Sequence, residues 1–263
     1  MSKSVLLTGI NGTVAGAIEK QLSDEYDISG ISVVRMDDVI RDLREPTWKE
    51  QLDAFNERVM EQLTTAIRGK TAVVHMGWNT RDENWQGGLD PLNITVVDCV
   101  YRAAIAERVP RIYMASSVHA YDFMSDPPGE DAEAISPLPD VREHAFGMPP
   151  TSLYGTSKRW MEIAGQYYVR HLHPEQKILV VRLGGISDHG KPGRRFSRLW
   201  NSHPDLAGLL RAFIECDAGA PAYWTAFGVS NNVGEPYSHP LFNFVNPYGF
   251  TPQDNAFERQ DGV

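Results

Sequence analysis

Apolar residues in this chain form short continuous runs, separated by longer segments in which they recur every three or four positions. The short runs predict strands buried on both faces, because such strands carry apolar side chains at consecutive positions. The predicted strands are residues 5–7, 28–34, 39–40, 71–76, 111–115, 177–183 and 223–227.

The longer segments predict amphipathic helices, since positions three and four apart share one helical face. These helices are residues 14–22, 48–67, 94–107, 153–171 and 205–216. The alternation of strand and helix predicts an α/β fold, namely a Rossmann-type doubly wound parallel sheet with its sites at the carboxyl ends of the strands.

Two stretches depart from this alternation. Residues 121–150 are rich in proline and acidic residues and have no period, and the chain after the predicted strand 223–227 is an irregular tail. Long loops of this kind usually border active sites. We therefore expect a single domain over residues 1–263, with substrate-binding elements mainly in 121–150 and in the small C-terminal extension 184–263.

Composition narrows the classes of partner. The net charge is −9 and the basic residues of 191–198 form only a short cluster, which argues against a nucleic-acid partner. No apolar run reaches the length of a membrane span, and the N-terminus leads directly into a strand, so we expect a cytoplasmic protein. Cys99 and Cys216 lack metal-ligand spacing, which predicts free thiols and no metal site.

A glycine turn follows the first predicted strand. Gly9 and Gly12 let the backbone turn tightly and approach a pyrophosphate, which the N-terminus of the next helix then stabilises. Ala15 satisfies the close helix–strand packing that a third glycine often provides. The turn residues expected to bind a dinucleotide are Gly9, Asn11, Gly12, Thr13 and Val14.

The sequence leaves the choice between NAD and NADP open. Ser32 stands at the predicted end of the second strand, where an acidic residue would select NAD. Arg35 would suit the 2′-phosphate of NADP, unless Asp37 and Asp38 neutralise it.

Tyr154 and Lys158 lie four apart in a predicted helix and so share one face. A phenol has an ordinary pKa of about 10, and a neighbouring ammonium favours the phenolate. Tyr154 is therefore a candidate general base for a sugar or alcohol hydroxyl. Alone, the pair also fits a packed aromatic beside a solvated charge. Together with Ser116 and Ser117 at a strand end and the glycine turn, it favours a nicotinamide-dependent oxidoreductase.

The order of these segments resembles the short-chain dehydrogenase/reductase superfamily of the NAD-dependent epimerase/dehydratase type. Residues 115–120, 153–158 and 181–185, with Arg195 and residues 200–205, are most similar to uronate dehydrogenases and archaeal-type NAD-dependent glucose-6-phosphate dehydrogenases. The resemblance covers almost the full length. It implies oxidation of a pyranose at its anomeric carbon, with release of a lactone.

The resemblance also implies roles for individual residues. Ser117 would hold the C1 oxygen, Tyr154 would act as base, and Lys158 would tune the tyrosine and bind the nicotinamide ribose. The remaining dinucleotide contacts are expected from Asp42, Leu43, Met76, Gly77 and Asn93, the last being also a candidate helix N-cap. The sugar would meet Thr80, His119, Gly185 and Arg195, and the adjacent Arg194 of this chain is a further candidate contact.

The roles of two histidines need separate interpretation, and one residue departs from the family pattern. His119 suits either a sugar hydroxyl or the loop backbone, whereas His75 in an apolar strand suggests a packed core histidine. Val118 replaces the asparagine that follows the catalytic serine in uronate dehydrogenases.

The predicted function is an NAD(P)-dependent sugar 1-dehydrogenase for an aldohexose with an anionic C6 group. One bidentate Arg suits a carboxylate, whereas Arg194, Arg195 and Lys191 together suit a phosphate or sulfonate. The alternatives are a nucleotide-sugar epimerase/dehydratase, which generally needs a larger C-terminal domain, and a non-catalytic dinucleotide sensor, which commonly lacks the Tyr or Lys.

We expect a homo-oligomer, because the superfamily often dimerises through the helices after the fourth and fifth strands.

Overall fold

The computed structural model describes residues 2–41, 43–78, 90–121, 135, 149–192 and 197–258, apart from the side chain of Ile40. Within these residues six parallel strands form one sheet in the order β2-β1-β3-β4-β5-β6. The strands are β1 (Ser4–Thr8), β2 (Asp27–Ile31), β3 (Ala72–His75), β4 (Arg111–Ser117), β5 (Lys177–Leu183) and β6 (Tyr223–Gly228).

Helices cover both faces of this sheet. They are α1 (Thr13–Leu22), α2 (Met36–Ile40), α3 (Trp48–Ile67), α4 (Pro91–Ala106), α5 (Leu153–Tyr168) and α6 (His203–Glu215). Short 3₁₀ turns occupy Val118–Ala120, Val169–His171 and Ser197–Leu199.

The two faces carry separate hydrophobic cores. Alternate strand residues point to opposite faces, so Leu7 packs with Ile18 of α1 and Phe213 of α6, whereas Leu6 packs with α3, α4 and α5. The chain runs outward from β1 to β2 and then returns to β3, which places the switch point of the sheet between β1 and β3. The fold is the predicted doubly wound α/β sheet, and it brings the carboxyl ends of β1 and β3 side by side.

The predicted strand at residues 39–40 was wrong, because this pair belongs to α2. Arg35 accepts backbone hydrogen bonds from Asp38 and Val39, and the acidic Asp37 and Asp38 lie in the first turn of α2. Acidic residues at that end favour a helix. An apolar pair is too short to distinguish strand from helix by its period.

The second strand ends three residues earlier than predicted. The Gln62 side chain of α3 donates to the Ser32 carbonyl at 2.9 Å and accepts from the Val34 N–H at 3.1 Å. These bonds occupy backbone groups that would otherwise extend the sheet. The turn that leaves β2 is therefore shaped by α3.

Two helix ends also differ from the prediction. Helix α4 begins at Pro91, and Asp90 is its N-cap, with its side chain accepting from the Leu92 N–H at 2.9 Å. Asn93 is therefore inside the first turn and is not the N-cap. The predicted helix 153–171 is α-helical to Tyr168, and its last turn is Val169–His171 in 3₁₀ geometry.

The chain after β6 is tied back to the start of α6 by Asp205. This buried carboxylate accepts from the Ser230 hydroxyl at 2.6 Å and from the backbone of Gln253 and Asp254 at 2.8 and 3.1 Å. Charge-assisted bonds of this kind are shorter and stronger than neutral ones. The irregular tail is thereby held against the carboxyl half of the sheet.

Both cysteines are free: Cys99 is buried and Cys216 is half-buried, as the sequence predicted. Among the described helices none is both long and apolar enough to cross a membrane. The same residues contain no cluster of three or more His, Cys, Asp or Glu side chains suited to a metal ion.

Candidate active site

A cleft of about 330 Å³ opens at the carboxyl ends of the strands. Its walls come from the turn after β1, the ends of β3, β4 and β5, and the start of α5. The lining residues are Gly9, Gly12, Thr13, Val14, Ala15, Met76, Trp78, Ala115, Ser116, Ser117, Tyr154, Lys158, Leu183, Gly184 and Ile186.

The glycine turn is packed directly against the end of β3. Gly9 has a φ of +73°, and a Cβ there would lie 2.6 Å from the Cα of Gly77. No other residue fits such an approach. The Thr8 hydroxyl oxygen accepts from the N–H groups of Met76 and Gly77 at 3.3 and 3.4 Å and holds the two segments together.

The N-terminus of α1 has the features of an anion site. Gly12 is the N-cap and provides no side-chain hydrogen bond, so the N–H groups of the first turn face the cleft without a side-chain cap. The Asp188 carboxylate accepts from the Thr13 hydroxyl at this helix end. The uncapped N–H groups, and not the Asp188 carboxylate, fit the pyrophosphate of a dinucleotide.

The exit from β2 carries Ser32, and the acidic residues Asp37 and Asp38 follow in α2. Asn11 donates to the Ser32 hydroxyl at 3.0 Å, which joins the turn to the end of β2. Arg35 is exposed at the start of α2. Asp38 pairs with Arg41 at 2.9 Å and not with Arg35.

Tyr154 and Ser117 meet at the centre of the cleft. Ser117 ends β4, and Tyr154 lies in the first turn of α5, whose N-cap Ser152 accepts from the Gly155 N–H at 3.0 Å. A Cβ at Gly155 would lie 2.0 Å from the carbonyl oxygen of His119, so only glycine lets α5 begin this close to β4.

The Tyr154 phenol is held in its neutral form. Burial raises the pKa of Tyr154, and a side-chain hydrogen bond with Ser117 lowers it by less. The sequence predicted the opposite net direction, from the charge of Lys158. The desolvation of the phenolate is the larger effect in this cleft.

Lys158 is buried at the base of the cleft, with 3% of its surface exposed. Its ammonium donates to the Ala115 carbonyl at 2.6 Å and lies 5.7 Å from the centroid of the Tyr154 ring. Burial lowers the pKa of Lys158 to about 7. The neutral amine is therefore easier to form here than in an exposed lysine.

Glu162, one turn after Lys158, anchors this face of α5. Its buried carboxylate accepts two hydrogen bonds from Arg182 of β5, at 2.9 and 2.7 Å, and one from the Ser116 hydroxyl at 2.7 Å. Arg159 adds a further ion pair at 3.0 Å. The network fixes α5 against β4 and β5.

His119 and Val118 occupy the 3₁₀ turn after β4. His119 Nδ1 and the Thr151 hydroxyl are 2.7 Å apart, and the ring stands edge-on to Tyr154 at 6.4 Å. Burial lowers the pKa of His119, which favours the neutral ring. Val118 packs in a hydrophobic cluster with Phe227 and Phe242, so its side chain faces the core.

The other predicted site residues divide into three groups. Asn93 is buried in α4, and Gly185 accepts from Asn201 and donates to Leu199 just beyond the cleft. Leu43 is half-buried after α2 and does not line the cleft. Asp42, Thr80, Arg194 and Arg195 lie outside the described residues.

The sequence interpretation missed Trp78, Glu162 and Arg182. Trp78 lines the cleft immediately after Gly77, and its position beyond a strand-ending glycine was the available signal. Glu162 is four residues after Lys158 and so lies on the same helical face. Arg182 sits within an apolar strand, where a charge requires a partner.

Three comparisons place these observations among known proteins. The NAD dependent epimerase/dehydratase family matches residues 5–187. The chain is 30% identical to the NAD-dependent glucose-6-phosphate dehydrogenase of Haloferax volcanii, over 98% of this chain and 96% of that protein. It is 25% identical to an L-arabinose 1-dehydrogenase (NAD(P)(+)) of the same organism, over 96% and 97% of the two chains.

The fold is also that of a solved relative. The crystal structure of uronate dehydrogenase from Agrobacterium tumefaciens has a TM-score of 0.70 to this chain at 21% identity, covering 99% of this chain and 88% of that one. The family resemblance and the fold class predicted from the sequence are both confirmed.

Replacing the buried lysine should change stability in a pH-dependent way. The folded-state pKa of Lys158, about 7, is below its ordinary value of 10.5, so protonation opposes folding. This penalty is complete below pH 7 and fades as the pH rises towards 10.5. Lys158→Met should therefore stabilise the protein by about 2–3 kcal/mol more at pH 6 than at pH 9.

Urea unfolding of the wild type and the variant at both pH values measures this difference. Lys20→Met, at an exposed position of α1, is the matched control and should show little pH dependence. If Lys158→Met changed the free energy of unfolding equally at both pH values, the lowered pKa of Lys158 would be contradicted.

Proposed function

The chain belongs to the NAD-dependent epimerase/dehydratase family, and from this premise we propose that it is an NAD(P)-dependent sugar 1-dehydrogenase. The observation that carries the proposal is the hydrogen-bonded pair Ser117 and Tyr154, beside Lys158, in the same cleft as the glycine turn. The phenolate of a tyrosine held by a serine hydroxyl is suited to remove the proton of a substrate hydroxyl. The relatives named above are dehydrogenases of glucose 6-phosphate, arabinose and uronate.

The roles of the three residues follow from their positions. Ser117 would hold the C1 oxygen, and Tyr154 would accept the C1 hydroxyl proton as the C1–H bond breaks, leaving the lactone. The nicotinamide, when bound, supplies the acceptor for the hydride. Only the phenolate of Tyr154 can accept this proton, and burial favours the neutral phenol. A nearby positive charge must therefore stabilise the phenolate before the step, and Lys158, one helical turn away, would supply it.

Both NAD and NADP suit the nucleotide end. Ser32 does not repel a 2′-phosphate as a carboxylate would, and exposed Arg35 is not paired with Asp38. We propose that the enzyme accepts either dinucleotide. The activity with NAD and the activity with NADP should therefore both be measured in the assay below.

The substrate class is an aldohexose with an anionic group at C6. Its support is the basic segment that contains Lys191, Arg194 and Arg195, after the carboxyl end of β5. In doubly wound folds the substrate sits beyond this edge of the sheet. Further substrate contacts would come from residues 121–150 and 184–263.

An assay of nicotinamide reduction tests the function directly. Glucuronate, galacturonate, glucose 6-phosphate and sulfoquinovose are each offered with NAD and with NADP, and lactone formation is followed in parallel. Reduction with at least one acidic hexose is expected. Conversion of UDP-sugars without net nicotinamide reduction would instead establish an epimerase or dehydratase.

Tyr154→Phe should reduce kcat by a factor of roughly 10² to 10⁴, which is the usual effect of losing a general base. The dissociation constant of the dinucleotide should change little, because the ring remains and only the hydroxyl is lost. Stopped-flow turnover and a fluorescence titration with the reduced dinucleotide measure the two quantities. Near-normal turnover would exclude Tyr154 as the base.

Arg195→Ala should raise KM for an acidic hexose and leave a neutral aldose almost unaffected. Losing a charge-assisted contact to a buried anion typically costs about 2–5 kcal/mol. Arg194→Ala is the matched variant: a phosphate or sulfonate should need both arginines, whereas a carboxylate should need only Arg195. Equal losses on charged and neutral sugars would assign Arg195 to the fold.

We also propose that the protein forms a homo-oligomer through α5. Ile163 and Tyr167, four apart on this helix, are each 54% exposed and form an apolar stripe. Ile163→Arg should therefore lower the mass measured by light scattering. Trp48→Arg, at an exposed apolar position on α3, is the control and should leave the mass unchanged. A monomeric wild type would contradict the proposal.

A further inference from the structure

The indole of Trp78 lies against the ammonium of Lys158. The Lys158 nitrogen is 3.8 Å from the centroid of the Trp78 ring and 2.6 Å from the Ala115 carbonyl oxygen. This is a close cation–π geometry. An ammonium has three N–H donors, so one donor remains for a ligand in the cleft once these two contacts are made.

The segment that carries Trp78 is held by β1 and β3. Its ring stands edge-on to His75 at 6.4 Å, and the His75 ring is fully buried and bonded to the Thr8 hydroxyl at 2.7 Å. The Thr8 oxygen also holds the N–H groups of Met76 and Gly77. The segment from His75 to Gly77, which leads to Trp78, is therefore held by Thr8 of β1.

The surroundings of Lys158 otherwise favour the neutral amine. From β3, His75 is uncharged, since burial and then the Lys158 charge lower its pKa to about 3. From α5, Tyr154 is in its neutral form, and Glu162 is bound by Arg182 of β5 and by Arg159. The Ala115 carbonyl of β4, which accepts from the ammonium, is the exception. The indole face thus replaces part of the hydration that the ammonium has lost.

We propose that Trp78 is a positioning residue of this active site, whose indole keeps Lys158 protonated and directed into the cleft. Its catalytic consequence rests on the proposed dehydrogenase function, because a protonated Lys158 is what offsets the charge of the Tyr154 phenolate. The contact to the lysine itself does not depend on that function.

The direct test is the pKa of Lys158 in wild type, Trp78→Leu and Trp78→Phe. The pKa is read from the ¹³Cε shift of the lysines in an NMR titration, with Lys158→Met identifying the signal. Leucine keeps an apolar side chain without a π face, so the pKa should fall by about one unit. Phenylalanine keeps a weaker π face, so the fall should be smaller.

Trp48→Leu, a tryptophan replacement at an exposed position of α3, is the control and should leave the Lys158 pKa unchanged. Thermal melting of each variant establishes that it is folded. If Trp78→Leu does not fold, the Lys158 pKa of Trp78→Phe alone tests the proposal. An unchanged pKa in Trp78→Phe and Trp78→Leu, or an equal fall in both, would overturn the proposal.

Kinetics give the second measurement. The alkaline limb of the kcat/KM profile should move to lower pH in Trp78→Leu by the same amount as the NMR pKa, whereas a loss of packing alone would lower activity evenly at all pH values. If no sugar is oxidised, the sugar dehydrogenase function fails, and the NMR titration still decides the role of Trp78.

Discussion

The geometry of the active site depends on the buried ion pair between Glu162 and Arg182. Two hydrogen bonds join the carboxylate to the guanidinium, and both side chains are at most 3% exposed. Ionised groups this deep are stable only with their partners, since leaving one charge unpaired costs about 3–5 kcal/mol. Because Glu162 also accepts from Ser116, the pair sets the rotation and height of α5 over β4. Tyr154 and Lys158 lie on the same face of α5 and take their positions from it.

Two close backbone approaches complete the frame. Gly9 meets Gly77 where β1 and β3 end, and Gly155 meets His119 where α5 starts. A side chain at either position would push the segments apart. One approach shapes the end of the cleft at the glycine turn and the other brings the phenol to Ser117, so the two halves of the cleft are built by the same kind of packing.

Burial shifts the pKa values of Tyr154 and Lys158 in opposite directions, and both shifts favour the uncharged form of the side chain. It raises the pKa of Tyr154 and lowers that of Lys158 to about 7. Local contacts oppose each shift: the Ser117 hydroxyl stabilises the phenolate, and the Ala115 carbonyl and Trp78 ring contact the ammonium. In the proposed reaction the Tyr154 phenolate therefore needs a neighbouring positive charge, which protonated Lys158 would supply.

The sequence by itself determined the layers, the parallel sheet, the glycine turn and the pairing of Tyr154 with Lys158, since each follows from local periodicity or from residues close in the chain. It also implied the family, which the comparisons confirmed. The end of β2 was assigned wrongly, because Gln62 of α3 decides it through contacts that are distant in the sequence. Residues 39–40 were assigned wrongly, because an apolar pair is too short to distinguish a strand from the helix α2. The tertiary structure alone also decided three side-chain contacts. These are the ion pair of Glu162 with Arg182, the contact of Trp78 with Lys158, and the packing of Val118 in the core. The direction of the Tyr154 pKa belongs with them, because desolvation is set by how much of the surrounding chain packs around a group, and spacing along the sequence does not contain that quantity.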